Sequence, residues 1–145
     1  LEWSTAIRVD NFDEEMAKTS KESGCEYFVV GVESFNQKKL DMMNKKITVE
    51  QITKTLDLLH KYDINYYGNV LVGFDGETYE DVMDELRSIP SKYNLFPAFV
   101  RPFIGIKESC NHSLSSQGRD YLNNKLKEYV YSKEKYCYPE LQEVA

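Results

Sequence analysis

The stretch Asn69-Val70-Leu71-Val72-Gly73-Phe74-Asp75-Gly76-Glu77-Thr78 constrains the fold more than any other part of the chain. It reads as a buried strand running into a two-glycine turn and then into a capped helix. The apolar run Val70 to Val72 suits a strand covered on both faces, as in parallel sheets. Gly73 and Gly76 permit a tight turn and a close approach of backbone to a ligand. Thr78, with Asp81 three residues on, reads as a helix N-cap with an acidic first turn. Small-molecule sites in α/β proteins lie at the carboxyl ends of parallel strands, where such turns sit. Taken alone, the stretch defines an α/β protein.

The rest of the chain repeats the pattern. Ser4 to Val9 reads as a short strand. Asn11 with Glu14 resembles a capping box. It opens a helix to about Ser23, with Phe12, Met16 and Ala17 as its apolar side and Gly24 as its C-cap. Tyr27 to Val32 is a second buried strand, and Asn36 to Met43 a short helix. Thr48-Val49-Glu50-Gln51 is another capping box, and Ile52, Leu56 and Leu59 follow at helical spacing. Tyr66 to Phe74 is the third strand. Thr78 to about Ile89 is a helix with Val82, Leu86 and Ile89 inward, stopped by Pro90. Pro97 to Phe103 is the fourth strand. Gln117 to Lys133 carries a last helical pattern inside a segment spanning 114–135. Four βα units argue for a parallel sheet with right-handed crossovers. Repeats of this length fit part of a (β/α) barrel and also an open doubly wound sheet.

A length of 145 residues fits one domain, with its core over 3–103. Such a chain buries roughly two thirds of its unfolded surface. The net charge of −6 argues against a nucleic-acid-binding face. No apolar run approaches the length of a membrane span, so no membrane contact is expected. Cys25, Cys110 and Cys137 lie far apart and form no CxxC cluster, which points to reduced thiols in the cytoplasm and to no metal site. The chain opens on Leu1-Glu2-Trp3 without Met, as a piece of something longer would.

Polar residues at strand ends are the candidates for chemistry. Arg8 lies inside an apolar strand, Glu33 and Ser34 directly follow Val32, Asn69 precedes Gly73 by four residues, and Arg101 is in the fourth strand. If the strands are parallel neighbours, these groups gather at one end of the sheet. Together they offer donors and acceptors for a zwitterionic or ribose-bearing ligand. Blander readings stand beside this one. Arg8 and Glu33 read equally as a buried ion pair. Asn69 reads as a partner for neighbouring backbone, and Gly76-Glu77-Thr78 as a mere turn and cap. His60 sits late on an amphipathic helix, as a surface residue or a partner of the helix dipole. His112 lies in a polar loop, and Lys45-Lys46 reads as a solvated pair. No Ser/His/Asp or Cys/His set and no glycine-rich phosphate loop is present.

Arg8-Val9-Asp10, Ser23-Gly24-Cys25, Gly31-Val32-Glu33-Ser34, Leu40 to Lys45 (LDMMNK), Thr48 and Asn69 to Thr78 (NVLVGFDGET) occur in order over Trp3 to Phe103. Together they resemble the later part of a radical S-adenosylmethionine (radical SAM) enzyme. Members described as Fe-S oxidoreductases, including the cobalamin-binding branch, are the nearest in pattern. The resemblance implies a TIM-like (β/α)6 partial barrel, of which this chain supplies the third to sixth strands. It implies SAM and a [4Fe–4S] cluster as cofactors of the parent enzyme. The implied chemistry is cleavage of SAM by an electron from the cluster, giving a 5′-deoxyadenosyl radical that would abstract a substrate hydrogen. By position, Arg8 and Glu33 (with Ser34 beside it) would hold SAM's amino-acid end. Lys45 would approach the carboxylate and Asn69 the ribose. The backbone of Val72, Gly73 and Phe74 would border the adenine, and Arg101 would face SAM or substrate.

The departures from the family pattern bear on activity. The CxxxCxxC motif and the glycine-rich SAM segment are absent, and Asp75 stands where proline is usual. Three cysteine thiolates are required to hold a cluster. The expectation is therefore a part of a radical SAM enzyme that is inactive alone and has no catalytic residue of its own. Its substrate is unspecified. The alternatives are a free-standing, non-catalytic half-barrel for binding or assembly, self-associating through open sheet edges, and an unrelated α/β binding domain.

Overall fold

The computed structural model describes residues 2–74 and 76–100, together with Asn124. Strand β1 (Trp3–Arg8) leads through a 3-10 turn (Val9–Asn11) into helix α1 (Glu14–Glu22). Strand β2 (Cys25–Glu33), helices α2 (Gln37–Met42) and α3 (Val49–Lys61), strand β3 (Asn65–Val72), helix α4 (Tyr79–Ser88) and strand β4 (Leu95–Phe99) follow. The four strands are parallel and lie in chain order, β1-β2-β3-β4. Right-handed crossovers between strands that neighbour in sequence put every helix on the same face. The sheet is therefore singly wound, which selects the barrel reading over the open doubly wound one; the barrel is not closed among the described residues.

The helix-facing side of the sheet is the core. Phe28, Val30 and Val32 of β2, Val70 and Val72 of β3 and Leu95 of β4 are buried against Ala17, Leu40, Ile52, Leu56, Leu59, Val82 and Leu86. Gly68 lies in this face because the packing leaves no room for more. A Cβ there would sit 2.8 Å from Leu95 Cδ2 and 2.9 Å from Val32 Cγ2.

The other face is open among the described residues. Tyr27 and Asn69 are exposed, and Val29, Gly31, Tyr67 and Leu71 are half-buried. The expectation of strands covered on both faces is corrected here. The apolar run at Val70 to Val72 alternates in burial, because a singly wound sheet presents one face to the barrel interior.

Local boundaries follow capping chemistry. Thr48 forms the expected capping box with Gln51, and Thr78, expected as an N-cap with an acidic first turn, closes a full box with Asp81. Helix α1 is capped by Asp13, which accepts from Met16 N at 2.9 Å, and not by Asn11. Phe12 fixes that entry by packing edge-on against Phe28 at 5.4 Å. Met16 is 45% exposed and takes no part in the core. β4 begins at Leu95 and not at Pro97, because Gly68 N already bonds Asn94 O at 3.2 Å and Asn94 Nδ2 bonds Tyr66 O at 2.7 Å. Arg101, the end of the expected fourth strand, His112 and the body of the 114–135 segment lie outside the described residues.

Candidate functional site

A cleft of about 350 Å³ opens at the carboxyl ends of β1 and β2. Arg8, Asp10, Gly31, Glu33, Asn44, Lys45 and Lys46 line it, with Val9 and Ile47. Its position is where parallel α/β sheets place ligands.

Three local devices aim its charged side chains. Arg8 is the last residue of β1, and the 3-10 turn brings Asp10 back beside it. The guanidinium meets that carboxylate in a fork, with Nε to Oδ1 at 3.1 Å and Nη2 to Oδ2 at 2.8 Å. This hydrogen bond holds the Asp10 carboxyl below its usual range and raises the Arg8 guanidinium. Glu33 ends β2 with a left-handed φ of 65°, beside a register shift between Val30 and Glu33. A bulge of this kind re-aims a side chain, and a non-glycine residue at positive φ stores strain of order 1 kcal/mol. Helix α2 ends in a Schellman turn: Asn44 takes φ 52°, Asn44 N bonds Asp41 O, and Lys45 N bonds Leu40 O at 2.9 Å. That turn delivers Lys45 to Glu33, with Nζ 2.8 Å from Oε1.

The sequence-based alternative of an Arg8–Glu33 pair is therefore corrected. Each takes another partner, Asp10 and Lys45, because the 3-10 turn and the turn that ends α2 aim those side chains at them. Neither pair is buried: the Arg8 side chain is 66% exposed and that of Lys45 42%.

The remaining expected residues are placed differently. Asn69 stands exposed on the open face of β3, opposite Phe96 in the register. Ser34 is fully buried, and its hydroxyl donates to the carboxylate of Glu85. The amides of Gly73 and Phe74 both donate to Glu77 Oε2, at 2.6 and 3.1 Å. These two amides are thus already engaged within the chain. His60 is exposed on α3 with Nε2 2.9 Å from the Tyr66 hydroxyl, away from the cleft.

Sequence reasoning missed Asp10, Asn44 and Lys46 in the cleft and the buried Lys39, Glu77 and Glu85 below it. Glu85 did leave a signal. It falls in the stripe Val82, Glu85, Leu86, Ile89, the buried spacing of an amphipathic helix.

The cleft's donor set fits the amino-acid end of SAM. Arg8, Lys45 and Lys46 match a carboxylate, and Asp10 and Glu33 match an ammonium group. The described residues do not fit an iron–sulfur cluster. Among them no group of three or more His, Cys, Asp or Glu could hold a metal ion. Cys25 is buried, and burial pushes its thiol up. Among the described residues no helix is long and apolar enough to cross a membrane.

Residues 3–89 match the family model of the radical SAM superfamily. That is more than half of the chain, and the protein belongs to this superfamily. An uncharacterized methyltransferase of Pyrococcus horikoshii is 33% identical over 82 residues, covering 57% of this chain and 18% of the relative. The anaerobic magnesium-protoporphyrin IX monomethyl ester cyclase of Cereibacter sphaeroides is 32% identical over 89 residues, covering 60% and 14%. The chain thus spans less than a fifth of the length of these relatives. Among solved structures, coproporphyrinogen III oxidase from Escherichia coli, a radical SAM enzyme, superposes with a TM-score of 0.74 at 15% identity. That match covers 91% of this chain and 32% of the other. The radical SAM methyltransferase TsrM from Kitasatospora setae gives 0.58 at 22%, covering 68% and 20%. At these identities the structures establish the fold alone.

Proposed function

We propose that this chain is the SAM-holding side of a radical SAM enzyme, and that the cleft at the ends of β1 and β2 takes the amino-acid end of SAM. The observation that carries this reading is the mixed-sign set of Arg8, Asp10, Glu33 and Lys45 around one opening. A zwitterion entering it exchanges partners with two existing ion pairs, so no charge is left uncompensated. Lys45 and Arg8 turn to the carboxylate, and Glu33 and Asp10 to the ammonium. Asn69 holds the ribose from the open face of β3, and the segment Val72-Gly73-Phe74 borders the adenine.

Bound SAM supplies the radical chemistry of the superfamily. The residues of this chain hold and orient it. The sequence has no CxxxCxxC, so the cluster thiolates come from elsewhere in the enzyme. By itself the chain is inactive and self-associates through its open sheet edges; a clean monomer by light scattering would count against that association.

Calorimetric titration with SAM tests the reading. Arg8→Ala, Glu33→Gln and Lys45→Met are each expected to weaken SAM about tenfold, the scale of one charge-assisted contact. 5′-Methylthioadenosine, which lacks the amino-acid end, is expected to bind all four proteins alike. Unchanged SAM affinity in the three variants sinks the proposal.

A further inference from the structure

A charged cluster bonded to the turns that follow β2 and β3 is not used by the binding reading. Lys39, on α2, donates to Leu71 O at 3.0 Å, Glu77 Oε1 at 2.7 Å and Glu85 Oε2 at 2.7 Å. An ammonium has three donors, and these contacts occupy all three. The Lys39, Glu77 and Glu85 side chains are 14%, 8% and 4% exposed. Lys39 Nζ also lies 5.1 Å from the centre of the Phe74 ring.

Both carboxylates reach onward to backbone. Glu77 Oε2 accepts the amides of Gly73 and Phe74, in the turn that leaves β3. Glu85 Oε1 accepts Phe35 N at 2.9 Å and the Ser34 hydroxyl, in the turn that leaves β2. Gly73 has φ 86° and Glu33, just before Ser34, has φ 65°. Glycine adopts such a φ freely, whereas at Glu33 it is unusual backbone that lasts only where surroundings fix it. The two turns are joined through one continuous line of charge-assisted bonds, from Ser34 and Phe35 through Glu85, Lys39 and Glu77 to Gly73 and Phe74.

We propose that Lys39, Glu77 and Glu85 are positioning residues: a buried ionic strap that fixes the turn after β3 against the turn after β2. This rests on the reading above, in which SAM lies across those two turns. The strap sets their separation before the ligand arrives, so binding needs little reorganisation. None of the three residues touches the ligand. Their effect passes through backbone they hold.

The test uses the intact anaerobically reconstituted enzyme, with SAM alone as probe, and amide hydrogen exchange resolved to single residues. Glu85→Gln keeps the side-chain shape and weakens the charge contact to Lys39. It is expected to speed exchange at Gly73 and Phe74 about tenfold, although Glu85 touches neither. Lys39→Met is expected to speed exchange at Phe35, Gly73 and Phe74 together and to weaken SAM at least tenfold. Lys39→Arg, which keeps the cation, should restore most of that affinity. If the native enzyme binds SAM and Lys39→Met binds it within twofold, the strap is merely structural and the proposal fails. If Glu85→Gln leaves Gly73 and Phe74 exchange unchanged, the two turns are not coupled and it also fails. A native enzyme that binds no SAM overturns the functional reading instead; positioning for SAM then falls with it, and the exchange data alone decide whether the turns are coupled. Where Lys39→Met does not fold, Glu85→Gln carries the affinity test, with threefold or more weakening expected and no change overturning it.

Discussion

The two charged clusters at this end of the sheet contain the same kinds of groups at nearly the same distances and differ in burial. Above, Arg8–Asp10 and Lys45–Glu33 close at 2.8 Å with water at hand. Below, Lys39 meets Glu77 and Glu85 at 2.7 Å, nearly sealed. An exposed pair costs little to open, because water compensates each partner. A buried one is fixed, because no solvent replaces a lost contact. Burial, and not the identity of the charges, separates ion pairs that open at little cost from ion pairs that stay fixed.

The largest expected effect is a direct break of that contrast. Lys39→Met leaves two carboxylates buried without their cation, and about 3–5 kcal/mol of stability should be lost. Urea unfolding measures it, and a loss under 1 kcal/mol would make the lower cluster behave like the upper one. Gly68→Ala comes next. The added Cβ meets Leu95 and Val32 inside 3 Å and lies 3.1 Å from the Val30 carbonyl. Overpacking there should cost about 1–3 kcal/mol by the same measurement. Lys45→Met removes the cation of an exposed pair and should change stability by only about 0–1 kcal/mol, while SAM affinity falls. That dissociation of stability from binding is the sharpest form of the comparison.

The smallest effect is on acid stability. Asp10 is held low by Arg8, Glu14 by Lys61 and Tyr62, and Asp57 by Lys92, in each case mainly through a hydrogen bond to the carboxylate. A carboxyl lowered in the fold contributes stability above its unfolded pKa, near 4, and loses it as pH falls through the folded value. The melting temperature should therefore stay flat from neutral pH to about 5 and fall shallowly below about 4. A rise in melting temperature on acidification would contradict the assignment.

Much of the fold was legible before any coordinates. Thr48 with Gln51, Thr78 with Asp81, and the stripe Ile52, Leu56, Leu59 are local rules read within one turn of chain, and each was found in place. Asn11 misled because Asp13 competes for the same cap, and Phe12 decides between them by packing on Phe28, a residue sixteen positions away. The site was legible in part. Arg8, Glu33 and Lys45 were named as candidates and share one cleft, but their partners were not foreseen. Asp10 and Lys45 reach those partners through a 3-10 turn and an Asn44 Schellman turn. Positive φ at Asn44 and at Glu33 has weak sequence signals. Glu77 looked like an ordinary turn residue, and only Gly73 N, Phe74 N and Lys39 reveal its use.

The sequence by itself determined the alternation of strands and helices, the caps that bound them and the family to which the chain belongs. Those depend on period, composition and short motifs, all of which are local along the chain. Tertiary structure alone decided that the strands lie in chain order, so that one face stays open among the described residues, and that Lys39, Glu77 and Glu85 meet although up to 46 residues separate them. It also decided which ion pairs face water. Distance through space and access to solvent set the strength and the role of a charge, and neither is written in the order of residues.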